Sequence, residues 1–250
     1  MAHPLLANPP LVEIVAEVRW GGGIGGNPTS FSLDSAADDA KFISFGIAVG
    51  KDGYNQLERV VPAGFPSIAG SVVYRYRKSD EDQHTLYQLG SGIFTANGLP
   101  PYDSWTKFRK TVADGIRAAS SVGSIPSNGP LQLVLRYIDA FAGDGLLGRT
   151  PHALLKEMLG FSFSPPGNLK RQSEPTSARV NAEYPCLQDD GLFVIEAGQG
   201  KKLDEAALVM TTAVQISHET TDAESIMNRF DELQNELHQA FMDLISRVQV

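Results

Sequence analysis

The segment Asn8-Pro9-Pro10-Leu11-Val12-Glu13-Ile14-Val15-Ala16-Glu17-Val18-Arg19-Trp20 decides how the rest of the chain is interpreted. Its two prolines lack backbone N–H donors and fix φ, so they keep the chain extended and delay any helix. Beyond them, apolar residues alternate with Glu13, Glu17 and Arg19, which is the period of a strand with one buried face. The segment therefore predicts a half-buried β-strand that turns its charged residues away from the core.

Length and composition favour a globular protein of a reducing compartment. A chain of 250 residues can bury roughly 70–75% of its unfolded surface without covalent staples. The single Cys186 cannot form an internal disulfide, and five scattered histidines show no metal-ligand spacing. No signal peptide and no apolar run of about 18 residues is visible. We therefore expect a soluble, cytoplasmic protein with no membrane insertion, no cofactor and no metal.

Two features bear on nucleotides and nucleic acids. The net charge of −8 argues against an extensive nucleic-acid surface. The run from Gly21 to Gly26 satisfies the spacing G-x-G-x-x-G, but Asn27-Pro28 follows it and no helical period begins there. A dinucleotide site needs that helix, because its N-terminal amides hold the pyrophosphate. We therefore predict a loop without nucleotide binding.

The remaining elements follow from periodicity, caps and turns. In the first part we predict an interrupted helix over 38–61, strands over 71–77, 84–89 and 93–96, a helix capped by Asp103 or Ser104, and a linker over 120–130. In the second part we predict a strand from Leu131, a short helix from Thr150-Pro151 to Gly160, and a loop over 164–172. Strands at about 177–183, 192–197 and 206–216 follow, joined at the first junction by a turn at 187–191, and then a long helix over 226–248 with a capping box at Thr221.

The order of elements suggests an internal repeat. Residues 1–122 and 123–250 both read β-α-β-β-β-α, with Leu11 set against Leu131. This predicts an α+β fold with an antiparallel sheet, or two sheets, covered by helices on one face. The two parts could pack as a single domain. The alternatives are a chance similarity of element order, and a helix-grip fold in which one curved sheet wraps the C-terminal helix.

Several motifs carry a resemblance to a known family. They are the opening Asn-Pro-Pro-Leu-Val-Glu, Leu86-Tyr87-Gln88-Leu89-Gly90 with Phe94 and Asn97, a helix with Trp105 and Phe108, Leu135-Arg136-Tyr137-Ile138-Asp139, and the long C-terminal helix. Together they resemble a sporadically distributed prokaryotic protein family of unknown function. The resemblance implies an α+β fold and supplies no catalytic residue. The sporadic occurrence of that family suggests a component of a mobile-element or phage-defence locus.

The sequence contains none of the catalytic motifs considered. It has no G-x-S-x-G elbow, zinc signature, kinase set or deaminase signature, whose spacings the corresponding reactions require. We therefore name no catalytic residue, leave enzyme activity open while favouring its absence, and expect a non-catalytic binding or assembly protein. The alternative is a hydrolase or nuclease whose site is dispersed over several strands.

The candidate binding residues are charged side chains of the predicted strands, all on the parity opposite the apolar face. They are Glu13, Glu17, Arg19, Arg75, Arg77 and Arg136. We expect them to share one sheet face or line one groove that binds a protein partner or a second copy of the chain. The alternative is a solvated face whose cross-strand ion pairs are worth about 0.2–1 kcal/mol each.

Overall fold

The chain is described by a computed structural model over residues 9–21, 24, 31–32, 36–62, 65–79, 84–161, 177–186 and 191–248. The first part contains β1 (Leu11–Trp20), β2 (Phe31–Ser32), α1 (Ala36–Gly50), β3 (Gln56–Arg59), β4 (Ser67–Ile68), β5 (Tyr74–Arg77), β6 (Thr85–Gly90), β7 (Ile93–Gly98) and α2 (Trp105–Ser121). The second part contains β8 (Leu131–Ala142), a 3₁₀ turn (Gly143–Leu146), α3 (Pro151–Leu159), β9 (Arg179–Pro185), β10 (Leu192–Lys202), β11 (Glu205–His218) and α4 (Ala223–Ser246).

Both parts of the chain contribute to one sheet. Its nine strands run in the order β3-β5-β6-β7-β1-β8-β11-β10-β9, and all neighbours are antiparallel. β2 and β4 form a separate two-residue pair. The two parts of the chain are arranged alike around the central pair of strands. Outward from β1 the order is β7, β6 and β5, and outward from β8 it is β11, β10 and β9. The α+β fold is thus confirmed, and the evolutionary duplication stays a prediction.

One row of side chains crosses the whole sheet on the side that faces the helices. Taking one residue from each strand in register, this cross-sheet row reads Leu57, Tyr76, Tyr87, Ala96, Ala16, Leu135, Val214, Phe193 and Tyr184. Ala16 of β1 and Leu135 of β8 form its centre. Helices α1, α2 and α4 pack with the middle of the row in one core, and α3 packs with the end of α4 in a second core.

Helix α2 is set by its cap and by its close approach to the sheet. The Ser104 hydroxyl accepts a hydrogen bond from the backbone N–H of Lys107, as expected of an N-cap residue. A Cβ atom on Gly115 would lie 2.7 Å from the ring of Phe94, so α2 can pack this closely only because Gly115 has no side chain.

Helix α4 is confirmed, but its first residue differs from the prediction. Asp222, rather than Thr221, is the N-cap, and its carboxylate accepts the backbone N–H of Ser225 at 2.8 Å. Asp231 joins α4 to α2, because it accepts hydrogen bonds from the indole of Trp105 at 2.7 Å and from Arg109 at 2.9 Å. The buried stripe that packs on the sheet comprises Ile226, Met227, Phe230, Leu233, Leu237, Leu244 and Ile245.

The helix predicted over 38–61 was wrong in extent, and the linker predicted over 120–130 is confirmed as the connection between α2 and β8 but is more buried than expected. The helix predicted over 38–61 ends at Gly50, and β3 occupies Gln56–Arg59. The predicted linker over 120–130 is partly core, since Ile125 is 1% exposed and packs under the helices. The predicted loop at 164–172 lies outside the described residues, as do most of the glycine run at 21–26 and of the turn at 187–191.

Candidate functional site: the polar face of the sheet

The pairing register assigns all six candidate residues to the face that the described helices leave free. Glu17 lies opposite Thr95 on β7 and Val134 on β8. Because side chains alternate along a strand, Glu13, Glu17 and Arg19 point away from α2 and α4. Arg136 of β8 and the two β5 arginines, Arg75 and Arg77, follow the same parity.

Glu17 lies at the centre of this face between two arginines. Its Oε2 accepts hydrogen bonds from Arg19 Nε at 2.9 Å and Nη2 at 2.7 Å. Its Oε1 lies 3.1 Å from Nη2 of Arg136, and the Glu17 side chain is only 4% exposed. A buried carboxylate is costly unless its charge and lone pairs are satisfied. The two guanidinium groups meet that need, so Arg19 and Arg136 are engaged within the protein.

A second chain of hydrogen bonds runs beside Glu17. The Thr95 hydroxyl donates to Oδ1 of Asn97 at 2.7 Å, and Nδ2 of Asn97 donates to Oε1 of Glu13 at 2.7 Å. All six residues of β7 are buried, Thr95 and Asn97 included. The sequence analysis did not assign Thr95 and Asn97 to the site, because a strand buried on both faces shows no alternation of polar and apolar residues.

The centre of the polar face is buried and not solvated, in contrast to the alternative considered from sequence. Seven residues of this face are at most 6% exposed, namely Val15, Glu17, Leu86, Ile93, Thr95, Asn97 and Val134. Arg136 remains 37% exposed at the side chain. Glu13, Glu17, Arg19 and Arg136 therefore act first as an internal network that holds β7, β1 and β8 together.

Arg75 and Arg77 belong to a different part of the same face. β5 is three strands from β1, which corresponds to about 14 Å at the usual strand spacing. Nη1 of Arg75 lies 3.8 Å from Oε2 of the exposed Glu58, and its Nε is buried without a hydrogen-bond partner. Arg77 makes no ion pair with any residue that the structure describes. The six candidates thus share a face without converging on one point.

Asp139 is a buried carboxyl group that belongs to one of the motifs named above but is not among the six candidate binding residues. It lies on β8 opposite Leu11 and Met210, on the side that faces the helices. The residue is 3% exposed and its Oδ2 has no hydrogen-bond partner. Burial raises its pKa to about 7, against the opposing attraction of Lys202. Asp139 has the same parity as Leu133 and Leu135 of β8, so alternation along the strand is the signal that could have placed it on the core-facing side.

Comparison of the chain with known proteins finds no match. No protein-family model, no curated protein and no solved structure matches it. Within the described ranges, no group of three His, Cys, Asp or Glu side chains could hold a metal ion. None of the helices in that part of the chain is long and apolar enough to cross a membrane.

The network around Glu17 leads to a prediction about stability. Arg19→Ala and Arg136→Ala should each lower the free energy of unfolding by about 1–2 kcal/mol, between the values for exposed ion pairs and for charged hydrogen bonds. The double variant should lose more than the sum, because Glu17 would then be buried without a counter-charge. Urea denaturation of the four proteins measures this coupling, and strictly additive losses would contradict it.

Proposed function

We propose that the protein is a non-catalytic binding or assembly protein that contacts a protein partner through Arg75 and Arg77. The observation that supports this is the contrast between the arginines of the polar face. Arg19 and Arg136 pair at 2.7 Å and 3.1 Å with the buried Glu17, whereas Arg75 makes a longer 3.8 Å pair with Glu58, whose side chain is 55% exposed. A partner carboxylate could reach the Nη atoms of Arg75 and form the paired hydrogen bonds that suit a planar guanidinium group.

The spacing of the two arginines indicates the form of that partner. Arg75 and Arg77 are alternate residues of β5 on one face, so their Cα atoms lie about 7 Å apart. An extended acidic segment presents its alternate side chains at the same interval. We therefore propose that the partner contributes such a segment, with two carboxylates directed at β5.

The genetic locus, the cellular compartment and the class of partner are proposed from the sequence. A component of a mobile-element or phage-defence locus is proposed from the family resemblance alone. A cytoplasmic location is proposed because Cys186 is a free thiol, which suits a reducing compartment. The net charge of −8 supports a protein partner over an extensive nucleic-acid surface.

The double variant Arg75→Glu/Arg77→Glu tests the proposal. Tagged parent and variant, expressed at native level, are compared for the protein that co-purifies, and the variant should recover at least about tenfold less of it, as the loss of about 1.4 kcal/mol implies. Its free energy of unfolding should change by no more than about 1 kcal/mol, because exposed ion pairs contribute little. Lys51→Glu/Lys201→Glu reverses the same charge at two exposed sites and should capture like the parent.

Three other results would point to a different surface, partner or function. Equal recovery by parent and double variant, at equal stability, would remove β5 as the partner surface. Concentration-dependent sedimentation of the purified parent that the variant lacks would identify the partner as a second copy. Turnover of a phosphoester that requires a divalent metal would favour the alternative, a hydrolase or nuclease with a dispersed site.

A further inference from the structure

A groove lies between α4 and the outer strands β9 and β10, on the side of the sheet that carries the helices. It consists of two adjoining cavities of about 540 Å³ and 280 Å³, which share Tyr184, Phe193, Ala240 and Asp243. Tyr184 is 48% exposed. Cavities of this size accommodate bulky ligand groups, so the groove can take up several apolar side chains.

The cross-sheet row shows what occupies the matching position at the other end of the sheet. Counting outward from Ala16 and Leu135, Tyr87 takes the place of Phe193 and Tyr76 takes the place of Tyr184. Tyr76 is fully buried and Tyr87 is 2% exposed. Among the residues that the structure describes, the same row is therefore covered at the β5–β6 end and open at the β9–β10 end.

A helix makes the difference between the two ends. Phe45 of α1 packs edge-on against Tyr76 and Tyr87, with ring centroids 4.9 Å and 5.7 Å apart. In the second part of the chain, α3 packs instead with residues further along the strands, namely Ile195, Ala197, Leu208 and Met210. It has nine residues where α1 has fifteen, and Tyr184 and Phe193 line an open cavity beside it.

The rim of the groove along α4 is acidic. Glu232, Glu236 and Asp243 line it, together with Arg229 and Arg247. Arg229 pairs with Glu232, and Arg247 donates to the backbone carbonyl of Met158 at 3.0 Å. Glu236 makes no ion pair with a described residue. The three acidic and two basic side chains that line the groove sum to a formal charge of −1, so an approaching helix would meet an apolar floor with a net negative charge beside it.

We propose that this groove binds an amphipathic helix of a partner protein, in the position that α1 occupies at the other end of the sheet. Its bulky apolar side chains lie against Tyr184 and Phe193, and its basic side chains face Glu236 and Asp243. Helix-in-groove recognition of this kind uses one apolar helix face as the anchor. The groove and the Arg75–Arg77 surface are on opposite faces of the sheet, so this inference goes beyond the proposed function.

A synthetic helix tests the groove directly. The probe is a peptide with the sequence of residues 36–50, fluorescently labelled, in which Asp38 and Asp39 are both replaced by lysine. Fluorescence anisotropy with the purified full chain should show saturable binding below 1 mM, which is roughly the −4 kcal/mol level. The unmodified acidic peptide should bind at least about tenfold more weakly, because it carries the wrong charge for the α4 rim.

Variants of the chain locate the binding. Glu236→Lys should weaken binding of the basic peptide about tenfold, because it reverses a charge of the rim. Tyr184→Ala should weaken binding by a similar factor, because it removes part of the apolar floor. Both residues lie at the surface of the groove, and thermal melting checks that each variant is folded. Glu219→Lys, an exposed charge reversal outside the groove, and Arg75→Glu/Arg77→Glu should bind like the parent. Absence of saturable binding, or binding that neither groove variant weakens, would overturn the proposal. Self-association of the chain that Tyr184→Ala abolishes would overturn it in favour of a second copy.

Discussion

Replacing Phe230 by alanine is expected to lower the free energy of unfolding by about 3–5 kcal/mol, as for other buried phenylalanines. Phe230 is 0% exposed and lies on the stripe of α4 that packs with α2 against the sheet. A chain of this size loses roughly 2–4 °C of melting temperature for each kcal/mol, so the variant should melt well below the parent. Urea denaturation at neutral pH gives the free energy.

Two further α4 variants control this result. Leu237→Ala removes a neighbouring buried side chain and should cost about 2–5 kcal/mol. Gln239→Ala changes an exposed position of the same helix and should stay within about 0.5 kcal/mol of the parent. If Phe230→Ala and Leu237→Ala both melted like Gln239→Ala, the stripe could not be part of the core.

The stability of the protein should fall as the pH rises from about 4 to about 7, because of Asp139. In the unfolded chain this carboxyl group releases its proton near its ordinary pKa, whereas burial keeps it protonated in the folded state up to about pH 7. The folded state therefore binds more protons across this window, and the free energy of unfolding decreases with pH. A pKa raised by about 3 units corresponds to a loss of up to about 4 kcal/mol.

Asp139→Asn separates this effect from those of other titrating groups. The variant should gain stability relative to the parent as the pH rises, so the difference between the two proteins should be larger at pH 8 than at pH 5. Urea denaturation of both proteins at the two pH values provides the measurement. A constant difference would show that Asp139 does not titrate there.

The elements that could be predicted from sequence carry local signals. Alternation assigned β1, β5 and β8 correctly, because one face of each strand contributes to the core under the helices. Cap residues marked the starts of α2 and α3 for the same local reason, since Ser104 and Thr150 bond to amides three residues later.

What could not be predicted depends on contacts between distant residues. β3 has no apolar alternation, since Gln56, Leu57 and Glu58 are all exposed. The separation of Arg75 and Arg77 from the Glu17 network follows from the order of strands, which no local pattern encodes. The raised pKa of Asp139 depends on burial within the assembled fold, and the open end of the cross-sheet row depends on where α3 packs.

The central position of β1 has a consequence for how the chain folds. β1 leaves the ribosome before the strands with which it pairs, since Ile14 pairs with Gly98 on one side and with Tyr137 on the other. Both neighbours are distant in sequence, and such non-local pairing is slow because loop closure must precede it. During synthesis, β1 remains an unpaired apolar strand until β7 and then β8 are complete, and strands of this kind are prone to associate with other chains. Rapid expression therefore exposes the nascent chain to aggregation through the same strand that joins the two parts of the finished sheet.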